Sequence, residues 1–208
     1  KKETKAGAAM NIARLFCSLT LLAVCLNFTA VAHADSWLPP KASVTYESAA
    51  KDARFTVTTK VSPASLASSS GAMSVSKSTD DNVSWIEIWR QPLQNQLSPV
   101  TALVANGGWR VVTFDNYYSV GYGEEVIVFY DEQGKLLKKY SLEALLSPME
   151  LGQVSRSVSS RWWRKAAVID EALGLLKVQV GLNQGEHGRI AATKTISFNL
   201  LDGEILTP

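Results

Sequence analysis

The sequence predicts a mainly β protein built of three antiparallel, four-stranded units, each resembling a propeller blade, standing side by side in an open stack. Three observations lead there: short apolar runs rich in β-branched and aromatic residues, glycine-bearing turns between them, and a strand and turn spacing that recurs three times. Three blades are too few to close a ring of the usual four to eight, which is why the stack is open. A two-sheet β-sandwich is the alternative arrangement.

The elements follow in order. Runs at 44–46 (VTY), 55–59 (FTVTT) and 85–89 (WIEIW) form the first unit, with a turn at 51–54. Within it, residues 62–77 are rich in Ser and Ala and show no period, which reads as a mobile loop. The second unit is clearer. Asn106-Gly107-Gly108 joins 101–105 to 109–114, and Asp131 to Gly134 turns the 126–130 run (VIVFY) into 136–140. The stretch 141–151 (SLEALLSPMEL) then predicts one or two short helices within 141–153, with Ser141 and Ser147 as N-caps and Pro148 at a first helical position. The third unit repeats the second, with 176–180 (LKVQV) and 195–199 (TISFN) as its clearest strands and a last strand after Asp202-Gly203. Gly174 and Gly203 take the places of Gly108 and Gly134.

Burial patterns order the units. The 111–112 and 126–129 runs are continuously apolar, as in a sheet covered on both faces, which puts the second unit in the middle. Third-unit strands alternate instead: Leu176, Val178, Val180, Ile196, Phe198 and Leu200 face inward, and the residues between them face water. Trp85 and Trp89 fall on one strand face with Glu87, and Ile86 and Ile88 fall on the other.

The first 34 residues read as a secretory signal peptide, with residues 1–9 an over-extended lead before Met10. Arg14 supplies the positive region, 15–28 the apolar run, and Ala32-His33-Ala34 the small residues read by the peptidase, so cleavage falls before Asp35. The apolar run is shorter than the roughly 20 residues that span a bilayer, and no stable membrane insertion is expected after cleavage. Residues 22–25 (LAVC) resemble a lipobox but carry Val24 where a small residue belongs. Residues 35–208 then form one β domain, periplasmic or secreted.

Four of the 21 basic and one of the 19 acidic residues lie in the leader, which leaves 17 against 18 and a net charge of −1. That balance lacks the cationic excess of a nucleic-acid footprint. Cys17 and Cys25 also leave with the leader, so the domain is cysteine-free and forms no disulfide. His187 is its one histidine. It sits in a glycine-flanked turn and reads as solvated, and a Ser-His-Asp triad would have to use it. Zinc sites of Cys and His are excluded, no cofactor is indicated, and no catalytic motif stands out.

Two segments concentrate residues suited to binding. The 114–125 segment (FDNYYSVGYGEE) sets Asp115, Asn116, Tyr118, Tyr122, Glu124 and Glu125 between two buried strands, and long loops on rigid strands often carry binding groups. It lacks the spaced Asp-x-Asp-x-Asp-Gly pattern of a calcium loop, and the competing reading is a structural loop whose tyrosines cover a sheet edge while Asp115 makes turn hydrogen bonds. The second segment holds Arg156, Arg161, Trp162, Trp163 and Arg164. A strand sends adjacent tryptophans to opposite faces, so one fills the core while the other reaches the surface, either capped by arginine or as a platform for a sugar or an anion. Arg161 and Trp163 join the candidate binding set.

The 99–146 stretch (PVTALVANGGWRVVTFDNYYSVGYGEEVIVFYDEQGKLLKKYSLEALL), followed by SRSVSSRWWR at 155–164, resembles uncharacterised exported bacterial proteins with propeller-like β repeats. The resemblance implies an exported domain with that strand order and brings no activity. The expected function is that of an exported binding or structural protein, engaging a protein partner or surface ligand through residues 115–125 and nearby aromatics. The alternative is a hydrolase or lyase using Asp115 with Glu124 or Glu125.

Overall fold

β-Branched and aromatic runs become strands, and glycine turns become the connections between neighbouring antiparallel strands. A computed structural model describes residues 37–62, 65–79, 82–182 and 192–206. Residues 1–34, which the sequence suggests as a signal peptide, and His187 lie outside these residues. Three antiparallel sheets follow one another along the chain. The first runs β1 (Ser43–Glu47), β2 (Ala53–Ser62), β3 (Ser65–Thr79) and β4 (Asn82–Pro92); the second runs β5 (Pro99–Val104), β6 (Val111–Asn116), β7 (Ile127–Tyr130) and β8 (Leu136–Tyr140). Two short helices come next, α1 (Leu142–Leu145) and α2 (Pro148–Gln153). The third sheet has β9 (Arg164–Asp170), β10 (Leu175–Leu182) and β11 (Ala192–Asn199), with β10 in the middle. Among the described residues no helix is long and apolar enough to cross a membrane.

The helix signals act as the sequence implies. The Ser141 side chain accepts from Ala144 N–H, and Ser147 with Glu150 forms a reciprocal capping box above Pro148.

The second sheet lies between two cores, one on each face. Val111, Val128 and Tyr130 pack with Phe55, Val57, Met73 and Trp89 of the first sheet. Their neighbours Val112, Phe114, Ile127 and Phe129 point the other way, into Leu176, Val178, Val180 and Phe198 of the third. Alternation along β6 and β7 serves both cores, so every residue of these strands is buried, and all are apolar or aromatic save Thr113 and, at the end of β6, Asp115 and Asn116. Three sheets replace the two of the sandwich alternative.

Three local expectations change. Residues 62–77 are not a loop, since β3 occupies nearly all of them and pairs with β2 on one side and β4 on the other. Serine and alanine have low strand propensity, yet small size is what the packing requires here. A side chain at Gly71 would collide with the Phe55 ring, while Met73 fills the core beside it. Trp85 and Trp89 do not share a face. Met73 pairs with Trp89 and Ser74 with Glu87, so Ile88 is the extra residue of a bulge. Trp89 therefore enters the core, and Trp85 lies outside beneath Arg54, whose guanidinium is 3.7 Å from the ring centroid. The fourth strand of the third unit is reduced to a bridge between Ile205 and Phe198.

Polar staples join the sheets. Gly107 N–H donates to Asp52 Oδ1 at 3.0 Å, Ala50 N–H to Asn106 Oδ1 at 2.9 Å, and Asn106 N–H to Glu171 Oε1 at 2.7 Å. Arg110, almost fully buried, donates to the carbonyls of Leu200 at 2.7 Å and Leu201 at 2.6 Å. The first strands of the units also meet in succession, β1 against β5 and β5 against β9.

Candidate functional site

Residues 115–125 leave β6 through a tight local reversal. Asp115 takes a positive φ of 59°, which aspartate tolerates, and Tyr118 takes 70°, which a bulky side chain rarely adopts. What holds this geometry is the buried carboxylate of Asp115. Its Oδ1 accepts from Gly121 N–H at 2.9 Å and from Trp163 Nε1–H at 2.8 Å, and its Oδ2 lies 3.7 Å from Arg164 Nη2. Gly121 is itself at φ 71°, where a Cβ would stand 2.8 Å from the Arg161 carbonyl oxygen. Only glycine lets the two segments approach so closely, and Arg161 N–H closes the contact on Val120 O at 2.8 Å.

A second set of buried polar groups fixes the base of the segment. Asn95 donates to the Asp115 carbonyl at 2.9 Å and accepts from the Thr113 hydroxyl at 2.8 Å. Asn116 accepts from Gln96 N–H at 3.0 Å and donates to Glu125 at 3.3 Å, and Lys139 reaches both Glu125, at 3.1 Å, and Glu124, at 2.8 Å.

Electrostatics follow burial. Desolvation pushes the Asp115 carboxyl above its ordinary value, against the pull of Trp163, Gly121 and Arg164. Desolvation also lowers the Arg164 guanidinium, against the pull of Asp115. For both partners the loss of water outweighs their attraction. Exposed Glu124 goes the other way, its carboxyl lowered by Lys139.

The residues singled out in the sequence thus separate into two groups. Asp115, Asn116, Glu125 and Trp163 are buried and bond to one another or to the backbone around them. Trp163 has no exposed surface, so it lies outside any surface platform. Tyr118 and Glu124 are exposed, and Tyr122 and Arg161 are half-buried. Arg161 sits 4.5 Å from the Tyr122 ring centroid and is salt-bridged to Glu143.

The groups missing from that set are aromatic. Trp37 meets Tyr117 edge-on at 5.0 Å and Tyr118 at 5.9 Å, and lies nearly parallel to Trp162, 14° between planes and 6.2 Å between centroids. Tyr117 and Tyr118 contact each other at 5.1 Å. Tyr118 and Trp162 keep 41% and 44% of their surface exposed, so this cluster faces outward. Beside it a groove of about 240 Å³ runs between β1 and β5, lined by Lys41, Tyr46, Pro99 and Tyr117 among others. The alternation of Trp162 and Trp163 signalled one surface tryptophan without saying which. Nothing in the sequence pointed to Trp37.

Chemically, this arrangement offers flat apolar surface on a rigid support. Among the described residues, no group of three or more His, Cys, Asp or Glu side chains is placed to hold a metal ion. No protein family matches the chain, and no similar curated protein is found.

Proposed function

We propose that the chain is an exported, propeller-like binding protein whose binding face is the cluster of Trp37, Tyr117, Tyr118 and Trp162. The observation that carries this reading is the pairing of exposed aromatics with a strained backbone: Tyr118 is held at positive φ above a support of buried, mutually bonded polar groups. Strain of this kind costs about 1–3 kcal/mol and concentrates at binding sites, where a fixed display offsets it. Four contacting aromatic rings supply large contact area with little conformational freedom to lose.

The propeller-like order is supported by the succession of β1, β5 and β9 at the junctions of three consecutive antiparallel sheets. Export to the periplasm or beyond, with cleavage before Asp35, is supported by the charge, apolar run and Ala32-His33-Ala34 step of the leader. A carboxylate-dependent hydrolase has less support. Asp115 faces Trp163, Gly121 and Arg164 instead of an open cleft, and Glu124 is exposed and ion-paired.

The test is a pull-down from periplasmic extract with wild-type protein, a Tyr118→Ala/Trp162→Ala variant and a Glu124→Gln variant, each checked by urea unfolding. Capture of a specific partner that fails only for the aromatic variant, at an unchanged unfolding midpoint, supports the reading. Capture indifferent to the aromatic changes refutes it. N-terminal mass analysis tests export separately, since a chain acylated at Cys25 would contradict cleavage before Asp35.

A further inference from the structure

Resting on that reading of the aromatic face, we infer that its ligand is an acidic polysaccharide, a chain of carboxylate-bearing sugars. The argument starts from the cations around the face. Arg161 is neutralised by Glu143, Lys139 by Glu124 and Glu125, and Arg164 faces Asp115. Lys41 and exposed Arg156 are different, since neither forms an ion pair among the described residues. Both sit on backbone that adjoins the aromatic cluster. Lys41 lines the groove that ends at Tyr117. Arg156 follows Ser155, whose carbonyl accepts the Trp162 N–H at 2.7 Å, and it bridges Arg161 on the neighbouring backbone.

A ligand that satisfies this surface needs two things at once. It must present flat apolar faces to tyrosine and tryptophan rings, and it must carry separated negative charges for an ammonium at one end and a guanidinium at the other. A pyranose ring offers C–H faces of that size, and a uronic acid chain repeats a carboxylate on each ring. Trp37 stacks nearly parallel on Trp162 and so fixes the indole that stays exposed to a flat unit. At about 240 Å³ the groove is smaller than the roughly 300–1,000 Å³ of drug-sized sites and has room for a short part of an extended polymer. Nucleic acid also stacks and carries charge, but its backbone is held by many cations, and here only two beside the face lack an ion pair among the described residues.

The experiment titrates the purified full chain with hexameric oligogalacturonate, with cellohexaose as the uncharged control, following tryptophan fluorescence and calorimetry. The expected result is binding of the acidic oligomer, at least about tenfold weaker for cellohexaose and for Trp162→Ala. Lys41→Gln and Arg156→Gln should each weaken it about threefold or more and flatten its salt dependence. These two surface variants, with urea midpoints, keep the test sound should Trp162→Ala fold poorly. No binding of the acidic oligomer, equal binding of cellohexaose, or affinity unchanged in all three variants overturns the inference. Tighter binding of single-stranded oligothymidylate would overturn it in favour of nucleic acid. If the pull-down still depends on Tyr118 and Trp162 while oligogalacturonate does not bind, only the saccharide inference falls; if both fail, the binding face falls too.

Discussion

Trp163→Phe removes one buried hydrogen-bond donor and replaces the indole by a smaller ring. The indole N–H donates to Asp115 Oδ1 at 2.8 Å, and both groups are essentially without solvent contact. A hydrogen bond to a charged group contributes about 1.5–3 kcal/mol, and the smaller ring forfeits some packing, so the expected loss is about 2–4 kcal/mol. Asp115→Asn keeps an acceptor for Gly121 and Trp163 but leaves the largely buried Arg164 facing an amide, at a cost of about 1–3 kcal/mol. Because the two changes act on one bond, the double variant should lose about 1 kcal/mol less than their sum. Urea unfolding followed by circular dichroism gives all three values. Losses that add within about 0.5 kcal/mol, or a Trp163→Phe cost below about 1 kcal/mol, would show that this bond does not hold the 115–125 segment. Acid adds a signed check. Burial raises the Asp115 carboxyl above its ordinary value, so the folded protein binds that proton more tightly than the unfolded chain does. On Asp115's account stability is lower above the raised value and grows as pH falls through it, so wild type should gain on Asp115→Asn as pH falls through that value.

Four further outcomes are expected. Gly121→Ala combines positive φ with a clash against the Arg161 carbonyl and should cost about 2–4 kcal/mol, whereas Gly107→Ala, at φ 69° with open space around it, should cost about 1 kcal/mol; thermal unfolding compares them. Arg110→Met severs the bonds to Leu200 and Leu201 and should lose about 2–4 kcal/mol, with faster hydrogen exchange in the Leu200 to Gly203 turn. Asp52 behaves oppositely to Asp115: the Gly107 N–H, helped by the Ser48 hydroxyl, lowers its carboxyl, so its stabilisation is present above the ordinary carboxylate value and lost as pH falls through the lowered one. Asp52→Asn should remove that dependence from the pH profile of unfolding. Tyr118→Gly relieves a left-handed tyrosine, so its unfolding midpoint should hold or rise while binding weakens; a clear drop would mean that the ring supports the fold.

Much of the fold was legible because its signals are local. Alternation in 176–180 and 195–199, continuous apolar runs in 111–112 and 126–129, and serine caps before Leu142 and Pro148 each report the environment of their own element. What failed depended on distant partners. β3 is written in serine, alanine and glycine because β2 and β4 supply its pairing and Phe55 occupies the space a larger residue at position 71 would need. The Ile88 bulge, which turns Trp89 inward and Trp85 outward, appears only in the pairing with Met73 and Ser74. The site has the same division. The 115–125 segment was found from its composition, but whether Asp115 faces water or the indole of Trp163, 48 positions later, is settled by tertiary packing. Adjacent tryptophans announced opposite faces, and the core chose Trp163.

That choice decides how the segment can work. Had Asp115, Asn116 and Glu125 remained in solvent, they would be mobile ligands for a cation or proton carriers, with little to fix their positions. Turned inward, they tie β6, the 115–125 segment and the Trp163 strand entrance into one rigid support, because each buried acceptor must keep its donor or lose about 1–3 kcal/mol. The exposed groups left above that support are chiefly rings. A surface whose polar chemistry is spent on its own rigidity, with Tyr118 held in a costly conformation at its edge, favours recognition by shape and stacking over proton transfer. On the proposed reading, Lys41 and Arg156, which have no ion pair among the described residues, would supply the remaining selectivity, for negative charge on whatever lies across the rings.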